Sequence, residues 1–138
     1  MKRSTQKTSV FLIHAHSDRE TVHKLYQRMV KDGINVWLDA ERLQPGQDWQ
    51  NEIRNALLKC EVVLVCLARG FDKQHGYRHE ELKLALDKAS FVPDDRVFII
   101  PVRLEECEVP ESLNHLHRVD VFKPGGYKKL LSVLQETG

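Results

Sequence analysis

Glu81 is the side chain in this 138-residue sequence best placed to do chemistry. It lies in HGYRHEELKLALD, residues 75–87, a stretch with helical periodicity. Leu82, Ala85, Leu86 and Ala89 recur so as to form one apolar stripe. Glu81 falls at the edge of that stripe, roughly a quarter turn from its centre. Glu80 points nearly the opposite way, with Lys83 and Asp87. Tyr77 stands at i−4 from Glu81, so the two side chains are neighbours on the helix surface. A carboxylate half inside a cleft, beside an aromatic ring, can act on a bound molecule; one on the open face ordinarily does not. Spacing alone favours the second reading, a solvated carboxylate paired with Lys88 or Arg78.

The elements that must position Glu81 alternate between strand and helix. Val10–His14 reads as a buried strand. Ser17-Asp-Arg-Glu20 has the form of a capping box. Val22, Leu25, Met29 and Val30 follow at helical spacing, up to a stop at Asp32-Gly33. Ile34–Asp39 reads as a second strand, followed by a loop, Ala40–Gln47, with a Pro45-Gly46 turn. Asp48 can cap a helix whose Trp49, Ile53, Ala56, Leu57 and Cys60 face inward. Val62–Ala68 is a continuous apolar run, the habit of a parallel strand covered on both faces. The Glu81 helix comes next. Arg96–Leu104 is a fourth strand that Pro101 is expected to end or bulge. Val119–Phe122 is a short fifth strand, and Tyr127, Leu130, Leu131 and Leu134 mark a last helix. The one irregular stretch is Glu105–Arg118. Such alternation predicts an open parallel sheet with helices on both faces. Ligands of such sheets sit beyond the carboxyl ends of the strands, where His14–Ser17, Asp39–Gln47 and Ala68–Tyr77 all emerge.

Size and composition narrow the options. The length suits one domain, a polar leader over residues 1–9 and a folded unit over 10–136. A 41% hydrophobic and 30% charged composition is that of a soluble globular chain. A net charge of +1 gives no general drive toward nucleic acid or acidic membranes. No apolar run approaches the ~20 residues of a membrane span, and the amino terminus lacks the apolar core of a secretory signal. Cys60, Cys66 and Cys107 are an odd set without metal spacing. The first two sit in apolar segments, as core thiols of a reducing, cytoplasmic compartment would. There is no phosphate-cradling Gly-x-x-x-x-Gly-Lys-Ser/Thr loop, no Gly-x-Gly-x-x-Gly after the first strand and no Gly-x-Ser-x-Gly elbow. A phospho-acceptor receiver would want aspartate at the end of the third strand, where the chain reads Cys66-Leu-Ala68. The pairs His14/His16 and His115/His117 could each share a strand face, but neither has partners to complete a tetrahedron, and no metal site is expected.

Three stretches in order resemble the Toll/interleukin-1 receptor (TIR) domain family. Val10–Asp18 resembles its opening strand and turn. Val36–Trp49 resembles its second strand and the following BB loop. Gly76–Leu82 resembles the helix that, in enzymatic members, carries a catalytic glutamate four residues after an aromatic. The resemblance covers Val10 to about Leu134 and points to the bacterial-type enzymatic branch. It implies a flavodoxin-like α/β three-layer sandwich, a five-stranded parallel sheet flanked by helices on both faces. It also implies cleavage of the nicotinamide–ribose bond of NAD⁺, with NAD⁺ as substrate and no cofactor. Glu81, not Glu80, then takes the catalytic position, the residue that helical phase also selects. His14, Ala15 and His16 would border the substrate cleft from the first strand, Arg42, Leu43 and Gly46 from the BB loop, and Trp49 from just beyond it. Tyr77 stands where the family more often has tryptophan. Ala68 replaces a frequent serine, Ile13-His14 the usual Ser-Tyr, and Tyr77-Arg78 a tryptophan-cysteine pair.

The implied chemistry suits these residues. Nicotinamide leaves ribose as a neutral base, so little acid assistance is needed. Positive charge instead builds on the sugar, as in glycoside hydrolysis. One nearby carboxylate can steady that charge and hold the ribose hydroxyls, and Tyr77 or Trp49 offers a flat face to a ring. The resemblance also implies self-assembly, the BB loop of one copy meeting the next, in a cell-defence or signalling setting. A non-catalytic module that docks other TIR domains would use the same loop and leave Glu81 incidental.

Overall fold

The computed structural model describes residues 9–37, 46, 48–69, 71, 77–93 and 96–137; for His16, Trp49, Gln50, residues 77–80 and residues 136–137 it describes the backbone alone. The elements run β1 (Ser9–Ile13), α1 (Arg19–Lys31), β2 (Asn35–Trp37), α2 (Trp49–Lys59), β3 (Val62–Leu67), α3 (Tyr77–Ala89), β4 (Ile99–Arg103), β5 (Val119–Asp120) and α4 (Gly126–Thr137). Short 3-10 turns occupy His16–Asp18 and Glu111–Leu113. The strand order is β2-β1-β3-β4-β5, and every pair is parallel. This is the α/β three-layer architecture that the strand–helix alternation predicts.

β3 lies at the centre and is buried along its whole length. Side chains alternate across a strand, so Val62, Leu64 and Cys66 join the apolar cluster under α1 and α4. Val63, Val65 and Leu67 join the cluster under α2 and α3. Each face of the sheet thus has its own core.

Local signals account for several element ends. Gly33 takes a left-handed φ of 89°, and Gly33 N–H and Ile34 N–H donate to Val30 O and Met29 O, each at 3.0 Å. That pattern closes α1 at the expected Asp32-Gly33 stop. Asp48 Oδ1 accepts from Asn51 N–H at 3.3 Å and caps α2. Gly126 is required by close approach: a Cβ there would collide with the Asp120 carbonyl, where α4 meets the end of β5.

Other local expectations need correction. The Ser17–Glu20 capping box does not form. A 3-10 turn intervenes, and Asp18 takes the N-cap position without a side-chain cap bond. Val30 faces outward, 47% exposed, because α1 covers the sheet with the Val22, Leu25 and Met29 line. Pro101 neither ends nor bulges β4: the register runs unbroken through Val65↔Pro101 and Cys66↔Val102. The cause is the direction of its missing donor. Leu104 N–H donates to Leu67 O, so by alternation the even-numbered amides of β4 face β3 and the odd ones face β5. β5 pairs only with Val102 and Arg103, so the ladder loses no bond at Pro101. β5 itself is shorter than expected, and Phe122 lies beyond it, 40% exposed.

Candidate functional site

Parallel strands deliver their carboxyl ends to one rim. β1 exits there through His14 and Ala15, β3 through Ala68, and β4 through Leu104. α3 begins beyond β3 and runs back across the sheet, so its opening turns belong to that rim. Glu81 stands in the second turn of α3 and is buried, only 6% exposed. It is deeper than the stripe-edge position that periodicity predicts. The reason is that Ala85, fully buried, lies at the centre of the inward face, while Leu86 and Ala89 are only partly buried. The buried face of α3 is therefore Glu81, Leu82 and Ala85, with Leu86 and Ala89 packed against the same cluster and half-buried Lys88 at i+7 from Glu81.

Burial changes what Glu81 can do. A carboxylate removed from water interacts more strongly with charge in its vicinity, and such groups concentrate at functional sites. Burial rules out the solvated carboxylate of the alternative reading, and of its two named partners Lys88 is engaged elsewhere while the Arg78 side chain lies outside the described residues. The Lys88 ammonium donates to the carbonyls of Leu57, Leu58 and Cys60 at 3.3, 2.6 and 2.8 Å.

The other expected site residues fall as follows. Ala15 is fully buried in the same apolar cluster as Leu82 and Ala85, which brings the exit of β1 against the face of α3. His14 is buried, 4% exposed, with Nδ1 2.9 Å from Ala15 O. A carbonyl only accepts, so Nδ1 carries the proton in that contact. Gly46 is exposed with φ 90°, the left-handed conformation its Pro45-Gly46 turn calls for. His16, Trp49 and Tyr77 lie in the opening turns of their helices, their side chains outside the described residues. Arg42 and Leu43 lie outside the described residues altogether, as does Arg78 except for its backbone.

Two features of the rim were not singled out from sequence. Asp18 Oδ2 is buried without a hydrogen-bond partner among the described residues. Burial, then the charge of Glu105, push its carboxyl above the usual range. An acid just past the first strand, inside the Ser17–Glu20 stretch, was the available signal. Arg103, at the end of β4, is 4% exposed. Its Nε and Nη2 donate to Asp120 Oδ1 and Oδ2, both at 2.7 Å, and Nη1 reaches Cys107 O at 2.8 Å and Glu106 Oε2 at 3.2 Å. The bidentate contact holds Asp120 down at about 2. This arrangement ties β4 to β5 and leaves the guanidinium committed to structure.

The cysteines are unpaired. Burial pushes Cys66 up to about 12 and Cys60 up to about 11, so both stay thiols at neutral pH. Among the described residues no group of three or more His, Cys, Asp or Glu converges as metal ligands would, and no helix is long and apolar enough to cross a membrane. Two clefts, of about 480 and 260 Å³, open toward the amino ends of the strands, one beside Phe98 and Ile99 and one beside Ser9 and Asn35. Neither has Glu81 in its lining, and a parallel sheet binds ligands at the opposite rim.

Comparison with known proteins bears on this geometry. A family model described as TIR domain matches residues 10–132. The protein y4cD of Sinorhizobium fredii is 29% identical over 133 residues, 94% of this chain and 21% of that protein. The NAD(+) hydrolase TcpA of a Theionarchaea archaeon is 35% identical over 63 residues, 45% of this chain and 19% of that protein. The chain thus spans about a fifth of the length of these curated relatives. Among solved structures, the TIR domain of the Toll-related receptor TRR-2 from Hydra magnipapillata superposes with a TM-score of 0.74 at 23% identity, covering 91% of this chain and 97% of that one. A match over nearly the whole folded length, together with the strand order and the placement of α3, leads to one assignment: the chain belongs to the TIR domain family.

Proposed function

We propose that this TIR domain hydrolyses NAD⁺ at the nicotinamide–ribose bond, with Glu81 as the catalytic residue. The observation that carries the reading is the burial of Glu81 on the inward face of α3, at the rim where parallel sheets hold ligands. The partial likeness to a relative named an NAD(+) hydrolase supports it. The reaction breaks the bond between C1′ of the ribose and the pyridinium nitrogen. The bonding pair leaves with nicotinamide, which becomes neutral, and positive charge passes to the ribose. Water attacks C1′ and gives its proton to solvent, leaving ADP-ribose; attack by a nitrogen of the adenine instead would close a cyclic product. Glu81 faces the charge that develops on the ribose and accepts from its hydroxyls. His14, Ala15, His16, Arg42, Leu43, Gly46, Trp49 and Tyr77 are proposed to border the substrate.

Assembly belongs to the same proposal. Other TIR domains are the partners, the BB loop of one copy meeting the next, in a defence or signalling system. The unpaired thiols fit a reducing compartment, and we place the reaction in the cytoplasm. The test is to incubate concentrated protein with NAD⁺ and follow free nicotinamide. Release, with specific activity rising with protein concentration, is the expected result. No release at any concentration, crowded solutions included, would overturn the enzymatic reading and leave a docking module. Flat specific activity would overturn the assembly requirement alone.

A further inference from the structure

Lys88 joins α3 to the end of α2. α2 ends at Lys59 with Cys60 as its cap, so its last carbonyls lack backbone partners within the helix, and only Leu57 O has a local side-chain donor, the Cys60 thiol at 3.0 Å. Lys88, on α3, brings its ammonium to three of them: Leu58 O at 2.6 Å, Cys60 O at 2.8 Å and Leu57 O at 3.3 Å. An ammonium has three protons, and each finds one acceptor here. The positive charge also meets the negative end of the α2 dipole. Phe98 closes the other side, its ring centroid 4.8 Å from Nζ. A half-buried lysine held at four points cannot turn without breaking several contacts together.

Lys88 and Glu81 are seven residues apart. Two helical turns separate them, about 10.5 Å along the axis and roughly 20° around it. Fully buried Ala85 lies between them on the same line. A small side chain at the centre lets α3 sit close to the sheet, with Leu82 buried beside it and Leu84, Leu86 and Ala89 packed against the same cluster.

We propose that Lys88 is a positioning residue: its grip on the last carbonyls of α2 fixes the rotation of α3 and so the direction of the Glu81 carboxylate. This rests on the NAD⁺ reading for its catalytic consequence but not for its structural one. Rate is the sensitive quantity, because a misplacement on the order of 1 Å at a reacting centre can cost ~100-fold. Substrate affinity, spread over many groups, should move little.

Lys88→Met keeps an unbranched stem against Phe98 and removes the donors; Lys88→Arg restores donors and charge. Three readouts apply to the folded variants: kcat and KM for nicotinamide release, amide hydrogen exchange in residues 77–89 against α1 and α4, and the titration midpoint of the Glu81 carboxyl by NMR. In Lys88→Met we expect kcat to fall about 10-fold with KM within about twofold. Exchange should quicken in α3 alone and the Glu81 midpoint should move, with Lys88→Arg closer to the parent on each readout. Unchanged exchange in α3 and an unchanged midpoint would overturn the proposal. So would quickened exchange in every helix, which marks a general loss of stability. If the parent releases no nicotinamide, the NAD⁺ reading falls, while exchange and the Glu81 midpoint still decide what Lys88 does. Should Lys88→Met fail to fold, Lys88→Arg decides by its own exchange and midpoint: parent-like values support the proposal, and displaced values in a folded protein overturn the claim that charge and donors suffice.

Discussion

The two faces of the sheet are built differently. Under α1 and α4 the core is apolar throughout, from Val10 and Leu64 to Leu130 and Leu134, and its polar groups stand at the margin. There Tyr127 Oη donates to Asp32 Oδ2 at 2.5 Å, and Arg28 covers the Tyr127 ring at 3.8 Å. Under α2 and α3 the core is also largely apolar, yet one helix buries a carboxylate, Glu81, and sends half-buried Lys88 to the end of α2. Lys88 is consumed by the carbonyls of α2. Glu81 lies at the rim where ligands of parallel sheets bind. The difference teaches that, on the proposed reading, stability and chemistry are separated by face: α1 and α4 hold the sheet, whereas α2 and α3 hold it and also carry a buried carboxylate at the ligand rim.

That contrast can be broken by substitution, beginning with the largest effect. Leu130→Ala and Leu57→Ala each remove a fully buried side chain, one per face, and should each cost about 2–5 kcal/mol of stability. Denaturant melts check this; activity per folded molecule should survive Leu130→Ala. Unequal losses between the faces would show that one core is looser than the other. Tyr127→Phe removes the bond to Asp32 and should cost about 1 kcal/mol by the same melts, with no effect on catalysis. Asp48→Ala removes the cap of α2 and should cost a similar ~1 kcal/mol.

A further effect is one of pH. Asp120 is held at about 2 by Arg103, below the ~4 of an unfolded carboxylate. A lowered folded-state value means that the contact stabilises fully above the unfolded value and is lost as pH falls through about 2. The stability difference between the parent and Asp120→Asn should therefore be constant above about pH 5 and shrink between about 4 and 2. A difference that stays constant through that window would refute the assignment.

Much of this architecture was legible because its signals are local. The apolar run Val62–Ala68 marks a central strand, Asp32-Gly33 a helix stop, and Asp48 a cap. The phase of α3 separates Glu81 from Glu80. What escaped depends on partners far along the chain. Arg103 meets Asp120 17 residues later, and Lys88 reaches back 28 residues to Cys60. No periodicity encodes either contact. The apolar stripe Leu82, Ala85, Leu86 and Ala89 does pack on the sheet, but a charged side chain counts as polar in any such stripe, so the depth of Glu81 beside it was underestimated. Pro101 misled for a related reason: whether a missing donor matters depends on which neighbour its strand edge faces. Of the expected site, Glu81, His14 and Ala15 are described and buried, and Gly46 is described and exposed. Arg42 and Leu43 fall outside the described residues.

The central claim is that Glu81 is a chemical rather than a structural acid. The direct test compares nicotinamide release from NAD⁺ by the parent and by Glu81→Gln, an isosteric change, beside their thermal melts. The account predicts a loss of about 100- to 1,000-fold in kcat, or ~2.7–4 kcal/mol by analogy with a lost oxyanion donor, with little change in melting temperature. Equal release by the two proteins would contradict it.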